Sequence, residues 1–411
     1  MPKSIILREV AFLSNSSCIS LFKLPFGLGI IYYFSYMSIK KLLLLLLFVS
    51  TSIYSQAPRW TKEKAWKWYN QQPWNIGANF NPSTSINQLE FWQKETFDIT
   101  TIERELEWSS KLGMNLHRVY LHNLLWKQDS EGFIKRIKTY LSIANEKNIK
   151  TMFVLLDDVW HPVPKLGKQP DPIPRVHNSG WVQSPGAEIL GDLDRHDELE
   201  SYIKGIISNF ANDERVLVWD LYNEPDNVIN HPTRKKFEVI NKKKYSLELL
   251  KKVFKWAREI NPSQPLTVGI WKGEIENWGN LEKLPELDKF MLTNSDVISF
   301  HAYDEKVDQV IRKIKALKNY ERPLLCTEYL ARGIGNSFES LLPIFKKEKI
   351  AAINWGLVSG KTNTIYPWSS WIKKFTDEPK LWHHDIFRSN GEPFSLDEVE
   401  FIKKTIFSVN K

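Results

Sequence analysis

The chain has 411 residues, 42% of them hydrophobic, 25% charged and 13% aromatic. That balance excludes a disordered chain, a coiled coil and a collagen-like fibre. Long apolar stretches occur only in the first 55 residues, which argues against a polytopic membrane protein. The formal net charge of +8 falls to about +4 once those residues, with five bases and one acid, are set aside. Lysine runs such as Lys242 to Lys244 and Lys346 to Lys347 read as solvated helical faces, and no zinc spacing or recognition-helix motif accompanies them. No nucleic-acid partner is expected. All 17 tryptophans lie after residue 55. That is more than a core needs, and surplus Trp suits a surface that binds flat apolar faces such as those of sugar rings.

Met37 to Ser55 have a basic start (Lys40, Lys41), an apolar run from Leu42 to Val49, and small residues at Ser50, Thr51, Ser52 and Ser55. This is the pattern of a secretory signal peptide, too short to span a bilayer as a stable helix. Met37 is therefore expected to be the true start, with residues 1–36 a spurious upstream extension; a genuine long leader is the alternative. An exported protein folded from residues 56–411 is expected, secreted or periplasmic, with no stable membrane insertion after processing. Cys18 falls in the leader, so Cys326 stands alone and no disulfide framework is possible. It sits in the apolar run Leu324-Leu325-Cys326 and reads as a small buried hydrophobe.

From residue 74 onward, short apolar runs alternate with longer amphipathic segments. The first strand is predicted at Trp74 to Phe80, followed by a helix from Thr100 to Leu112 closed by Gly113. Then come strand Leu116 to Leu121 with helix Phe133 to Ala144, and strand Thr151 to Leu156 with helix His196 to Phe210. Strand Val216 to Tyr222 precedes helix Ser246 to Ile260. Strand Leu266 to Trp271 precedes a weaker helical segment from Leu281 to Leu292. Strand Val297 to His301 precedes helix Lys306 to Leu317, and strand Leu324 to Glu328 precedes helix Phe338 to Lys347. A last strand from Ala351 to Leu357 and a helix from Leu396 to Phe407 complete the chain. The strands are apolar almost throughout, as parallel strands covered on both faces require. Eight strand-then-helix units point to an α/β fold, a single-domain (β/α)8 TIM barrel. A doubly wound sheet would want a glycine-rich first turn, whereas Asn79-Phe80-Asn81-Pro82 stands there. The longest irregular stretch is expected from Val159 to Arg195, after the third strand, on the face where barrels build active sites.

Polar residues at the C-terminal ends of barrel strands converge on one cavity. Those ends supply Asn79 and Asn81; Arg118 and His122; Asp157 and Asp158; Asn223, Glu224 and Asp226; His301, Tyr303 and Asp304; Glu328; and Asn354 with Trp355. Two carboxylates stand out. Glu224 ends the fourth strand inside Asn223-Glu224-Pro225, and Glu328 ends the seventh. The two strands lie on opposed parts of a barrel wall. Paired carboxylates, one protonated and one ionised, are the chemistry of glycosidic hydrolysis.

On these residues the chain resembles the glycoside hydrolases of clan A, and among them the cellulase family, family 5. Asn223-Glu224-Pro225 matches that family's acid/base motif after strand 4, and Thr327-Glu328, 104 residues on, matches its nucleophile. Arg118, His301-Ala302-Tyr303 and Trp355 match its Arg near the end of strand 2, its His-x-Tyr after strand 6 and its Trp ending strand 8. The resemblance implies a retaining hydrolase of β-linked glycans, with no cofactor and no metal. It makes Glu328 the nucleophile, held by Arg118 and the Tyr303 hydroxyl, and Glu224 the proton donor. Asn223 would bond the sugar 2-hydroxyl, and Trp355 would floor the sugar at the cleavage point. Many members carry a His pair after strand 3; this chain has Asp157-Asp158-Val159-Trp160-His161 there. Asp157 or Asp158 would then meet sugar hydroxyls, or else one of them serves as a helix cap or a loop ion pair. Asn81 and Trp181 are further substrate-binding candidates, Trp181 either as a subsite platform or as loop packing. Oligo- or polysaccharide is the expected partner, cut internally or, alternatively, from the chain end. Metal-assisted hydrolysis by Asp157, Asp158 and His161 and a non-catalytic sugar-binding barrel are the rivals from other classes. His383-His384-Asp385 resembles a metal cluster, but adjacent histidines share one tetrahedral site poorly.

Overall fold

The computed structural model describes residues 57–231 and 234–408; the signal-peptide expectation lies outside them. Eight parallel strands form the barrel: β1 Ile76–Asn79, β2 Leu116–Tyr120, β3 Lys150–Val154, β4 Val216–Asp220, β5 Leu266–Thr267, β6 Ile298–His301, β7 Leu324–Glu328 and β8 Ala351–Trp355. Their order is β5-β4-β3-β2-β1-β8-β7-β6. One parallel bridge, Ile270 with Phe300, draws the β5 and β6 segments together and nearly closes the ring. The expected (β/α)8 barrel is therefore present.

Most differences from the sequence reading are at element ends, and each has a local cause. β5 stops at Thr267 instead of reaching Trp271 because the Val268 N–H donates to Ser295 Oγ (3.1 Å), not to a neighbouring strand. The helix expected at Phe133 to Ala144 belongs to a longer one, Asn123–Glu146, broken at Asp129. There the backbone leaves helical angles, and the Asp129 carboxylate accepts from Gly132 N–H like a second cap (2.9 Å). Lys242, in a run that the sequence marks as a solvated face, is buried, its ammonium on Glu238 (3.1 Å). A helix at Lys62–Asn70 was not expected at all, because only Ala65 and Tyr69 of its nine residues are buried and it shows no apolar stripe. A second long irregular segment also emerged. After β8 the chain runs from Gly356 to Ser395 with only the short 3-10 turn Trp368–Trp371.

The core has two parts. Outward strand side chains such as Ile76, Phe153 and Trp219 pack against the helical shell. Inward ones, Leu116, Met152, Val218, Leu325 and Ile353, fill the barrel floor with Trp60, Ala65 and Tyr69. The Lys62–Asn70 helix thus plugs the bottom, and Tyr69 donates its hydroxyl to Lys349 O (2.6 Å). No helix among the described residues is long and apolar enough to cross a membrane.

Candidate active site

The top of the barrel is polar from its innermost layer. Arg118 on β2 is almost fully buried. Its guanidinium donates to Asp220 Oδ2 through Nε and Nη2 (2.9 and 2.7 Å), to Asn79 Oδ1 (2.8 Å), to Asn223 Oδ1 (2.7 Å) and to Glu328 Oε1 (2.8 Å). Buried charge is tolerated only when paired and fully bonded, and Arg118 meets both conditions. Glu328, ending β7, also accepts from the Tyr120 hydroxyl (3.0 Å) and, on its other oxygen, from Tyr303 (3.1 Å). Three donors on one carboxylate favour its ionised form.

Glu224 lies four residues past the last ladder residue of β4, on a turn with φ of +42° at Glu224 and +64° at Asp226. Left-handed backbone costs a Glu about 1 kcal/mol or more, so something must hold the turn. Asp158 does. Its carboxylate accepts from Asp226 N–H (2.7 Å), Ser246 Oγ (2.8 Å) and the Tyr222 hydroxyl (2.8 Å), with Lys242 Nζ at 3.7 Å. Asp158 was expected to meet sugar hydroxyls. Its oxygens are instead spent on protein donors, and it does not line the catalytic cavity. Asp157 is likewise buried, accepting from Asn223 Nδ2 (3.0 Å), Trp181 Nε1 (2.7 Å) and Val159 N–H (3.0 Å).

The two glutamates meet across the mouth. One carboxylate oxygen of Glu224, one of Glu328 and a ring nitrogen of His301 lie within 4.8 Å of one another. His301 stands between them, with Nδ1 at 2.8 Å from Glu224 Oε1 and Nε2 at 3.6 Å from Glu328 Oε1. This is the one group of three potential metal ligands among the described residues. The Arg118 guanidinium already supplies positive charge there, which disfavours a cation. His383, His384 and Asp385 do not converge: the His384 ring bonds Leu330 O, and Asp385 accepts from Thr364 (2.7 Å).

Burial pushes the Glu224 carboxyl up to about 7, opposed mainly by the Asn227 amide bonded to it. Burial raises Glu328 as well, opposed by His301 and Arg118. With fewer donors to its charged form, Glu224 is the member of the pair that keeps a proton near neutrality. Burial lowers His301 to about 4, so its ring is neutral.

These groups face a cavity of about 340 Å³. Of the residues expected at the site, Asn223, Glu224, His301, Tyr303, Glu328 and Trp355 line it. Arg118 lies beneath. Asn81 and Trp181 border a separate small cavity shared with Tyr120 and Trp355. Of the two alternatives for Trp181, the structure has loop packing and not a platform: it is buried, bonded to Asp157, with its ring edge-on to Trp355 (5.9 Å). Both Asn81 amide bonds go to backbone carbonyls, Ser85 O (2.6 Å) and Pro82 O (3.4 Å). Tyr120, Asp220, Trp160, Trp271, His177, Asn178 and Trp368 are not among the residues the sequence singles out for the site, and His384 is singled out there only as a metal ligand. Tyr120 carried a signal, since it shares the inward face of β2 with Arg118 two residues away. Asp220 carried one too, as a lone charge in an apolar strand.

The family described as Cellulase (glycosyl hydrolase family 5) matches residues 77–361. The chain belongs to glycosyl hydrolase family 5. It is an O-glycosyl hydrolase, of the retaining class that cleaves β-glycosides. Among solved structures, a GH5_18 variant from Streptomyces cattleya in complex with Manβ1-4GlcNAc is 11% identical, with 82% of each chain covered and a TM-score of 0.56. A GH5_18 protein from Bifidobacterium longum subsp. infantis is 11% identical over 81% of this chain and 78% of that one, TM-score 0.52. The exo-β-1,4-mannosidase Op5Man5 from Opitutaceae bacterium strain TAV5 is 13% identical over 81% of this chain and 59% of that one, TM-score 0.54. At such identities the likeness is one of fold. No curated protein matches the chain.

Proposed function

We propose that this family 5 hydrolase cleaves β-linked glycans by double displacement, with Glu328 as nucleophile and Glu224 as acid/base. The observation that carries the reading is the apposition of the two carboxylates within 4.8 Å. A separation of about 5–5.5 Å suits a covalent glycosyl-enzyme, whereas a wider gap admits a water and inverts. In the first step Glu328 attacks carbon one of the sugar while Glu224 gives its proton to the departing oxygen. In the second, Glu224 takes a proton from water, which attacks the same carbon and releases Glu328. Arg118, Tyr120 and Tyr303 hold the nucleophile's charge, and Asp157 orients the Asn223 amide, whose second N–H is left for the sugar 2-hydroxyl.

Glycans joined by β-1,4 links are the proposed substrates. β-Mannosides head the panel, because the neighbours of like fold include a mannosidase and a protein solved with Manβ1-4GlcNAc. The enzyme is proposed to act after export, with residues 37–55 removed; a mature protein that retains any of those residues would contradict this. The central test is a screen of aryl β-glycosides and β-1,4-oligosaccharides, with proton NMR following the anomer released first. Retention and an inactive Glu328→Gln are expected. Inversion, or wild-type turnover by that variant, would overturn the mechanism.

A further inference from the structure

The segments after β3 and β8 come from strands separated by β2 and β1, yet they are sewn together above those two strands. Asn178 N–H donates to Thr362 O (2.7 Å), His177 N–H to Ser370 Oγ (2.9 Å) and Asn363 Nδ2 to Ile173 O (3.2 Å). The segment after β1 joins them: Lys361 N–H donates to Ser83 O (3.0 Å), and Lys361 Nζ pairs with Glu90 (2.6 Å). The result is a continuous rim on the side of the mouth where β1, β2 and β8 place Asn79, Arg118, Tyr120 and Trp355 around Glu328. The other side, formed by the segments after β4 and β5, carries Glu224, Asn227 and Trp271.

His177, Asn178 and His384 turn the inner face of this rim into cavity wall. Asn178 is 1% exposed, and neither its amide nitrogen nor its amide oxygen has a partner. An orphaned buried amide is costly, and protein side chains are nearly always arranged to avoid one. The two histidines are prepared differently. The His177 Nδ1 faces Tyr366 O (2.8 Å) and the His384 Nδ1 faces Leu330 O. A carbonyl only accepts, so each Nδ1 carries the hydrogen and each Nε2 is left as an acceptor. Burial keeps both rings neutral. Lys313 also lines the cavity but is paired with Asp304 (2.7 Å). The rim therefore offers one donor–acceptor amide, two acceptors and no free charge, together with the faces of Trp355 and Trp368.

We propose that this rim is the recognition pocket for a single uncharged, non-reducing terminal pyranose. The Asn178 amide bridges two adjacent hydroxyls, and the His177 and His384 Nε2 atoms accept from hydroxyls. The enzyme then removes one sugar at a time from chain ends. The inference rests on the assignment of Glu328 and Glu224, because that pair decides which side of the cleft holds the sugar that becomes attached. The wall closes the nucleophile's side. The leaving group departs over Trp271, whose ring nitrogen is tied to Pro225 O (3.3 Å).

The experiment follows β-1,4-manno- and gluco-oligosaccharides labelled at the reducing end, using wild type, Asn178→Ala and Glu328→Gln. For wild type, labelled products shorter by one sugar are expected to appear in order. Substrates methylated on the terminal 4-hydroxyl should lose on the order of 100-fold in kcat/KM. Asn178→Ala should lose a similar factor, mostly as a rise in KM. It should melt at the wild-type temperature or higher, since the amide has no protein partner to lose. Early release of mixed internal fragments by wild type, with Glu328→Gln inactive, would overturn the terminal pocket while leaving the two-glutamate reading intact. Wild-type kcat/KM in Asn178→Ala would overturn the role of Asn178. An active Glu328→Gln would overturn the catalytic assignment itself.

Discussion

The two ends of this barrel are built from the same eight strands and could hardly differ more. At the floor, Leu116, Met152, Leu217, Val218, Leu325 and Ile353 meet Trp60 and Tyr69 in a dry apolar plug. At the mouth, two or three residues further along those same strands, Arg118, Asp220 and Glu328 are buried in one hydrogen-bonded cluster. Burying apolar area stabilises without regard to orientation, whereas buried charge repays its desolvation only with near-complete pairing. The floor therefore carries stability. The mouth keeps Glu224 protonated at a pH where water would ionise it, beside an ionised Glu328, and that is where the chemistry can be done.

Substitutions at the two ends should separate these roles. The largest effect on activity is expected from Glu328→Gln, which should lower kcat on the order of 10⁴-fold or more while the melting temperature holds or rises, as thermal denaturation would record. Glu224→Ala should lose about 10²–10⁴-fold on natural glycosides but far less on aryl glycosides with good leaving groups. Azide should restore part of that activity, because the small anion fits the vacated space and attacks without base help. Equal losses on both substrate types would show that Glu224 is not the proton donor.

At the floor, Trp60→Ala should cost about 3–5 kcal/mol of stability in urea titrations with kcat unchanged. A matching fall in kcat would show that the two ends are not independent.

A pH experiment sharpens the contrast. Glu224 has its carboxyl raised from 4.5 to about 7 by burial. Its neutral form is thus the one favoured by folding. The contribution is fully present below about 4.5, is lost as pH rises through 7, and leaves a cost of up to about 3 kcal/mol at pH 8. Glu224→Gln should therefore be more stable than wild type at pH 8, with the gain vanishing below pH 5. Wild-type activity on poor leaving groups should fall above pH 7 as the donor ionises. The smallest effect should come from Asp158→Asn. It should lower kcat about tenfold with little change in KM, because Asp158 touches the Glu224 turn and not the cavity.

Much of the mouth is legible in the sequence. A strand presents alternate side chains to one face, and a barrel turns every strand end toward one axis, so residues ending apolar runs were bound to meet. Glu224, Glu328, His301, Tyr303 and Trp355 follow from that rule. Asp158 does not, because the same rule brings a carboxylate near the site without saying which donors reach it first. Trp181 fails for a related reason: its surroundings are set by a loop that no period describes. The helix at Lys62–Asn70 was missed because only Ala65 and Tyr69 of its residues are buried.

By itself the sequence determined the barrel and the pair of acids, since both rest on periodicity and on position along each strand, which are local properties. Tertiary structure decided the rest. Whether a buried Asp bonds a sugar or a backbone amide, whether Asn178 finds a partner, and whether two loops from distant strands wall one side of a cleft all depend on contacts between residues far apart in the chain. No local pattern encodes those contacts.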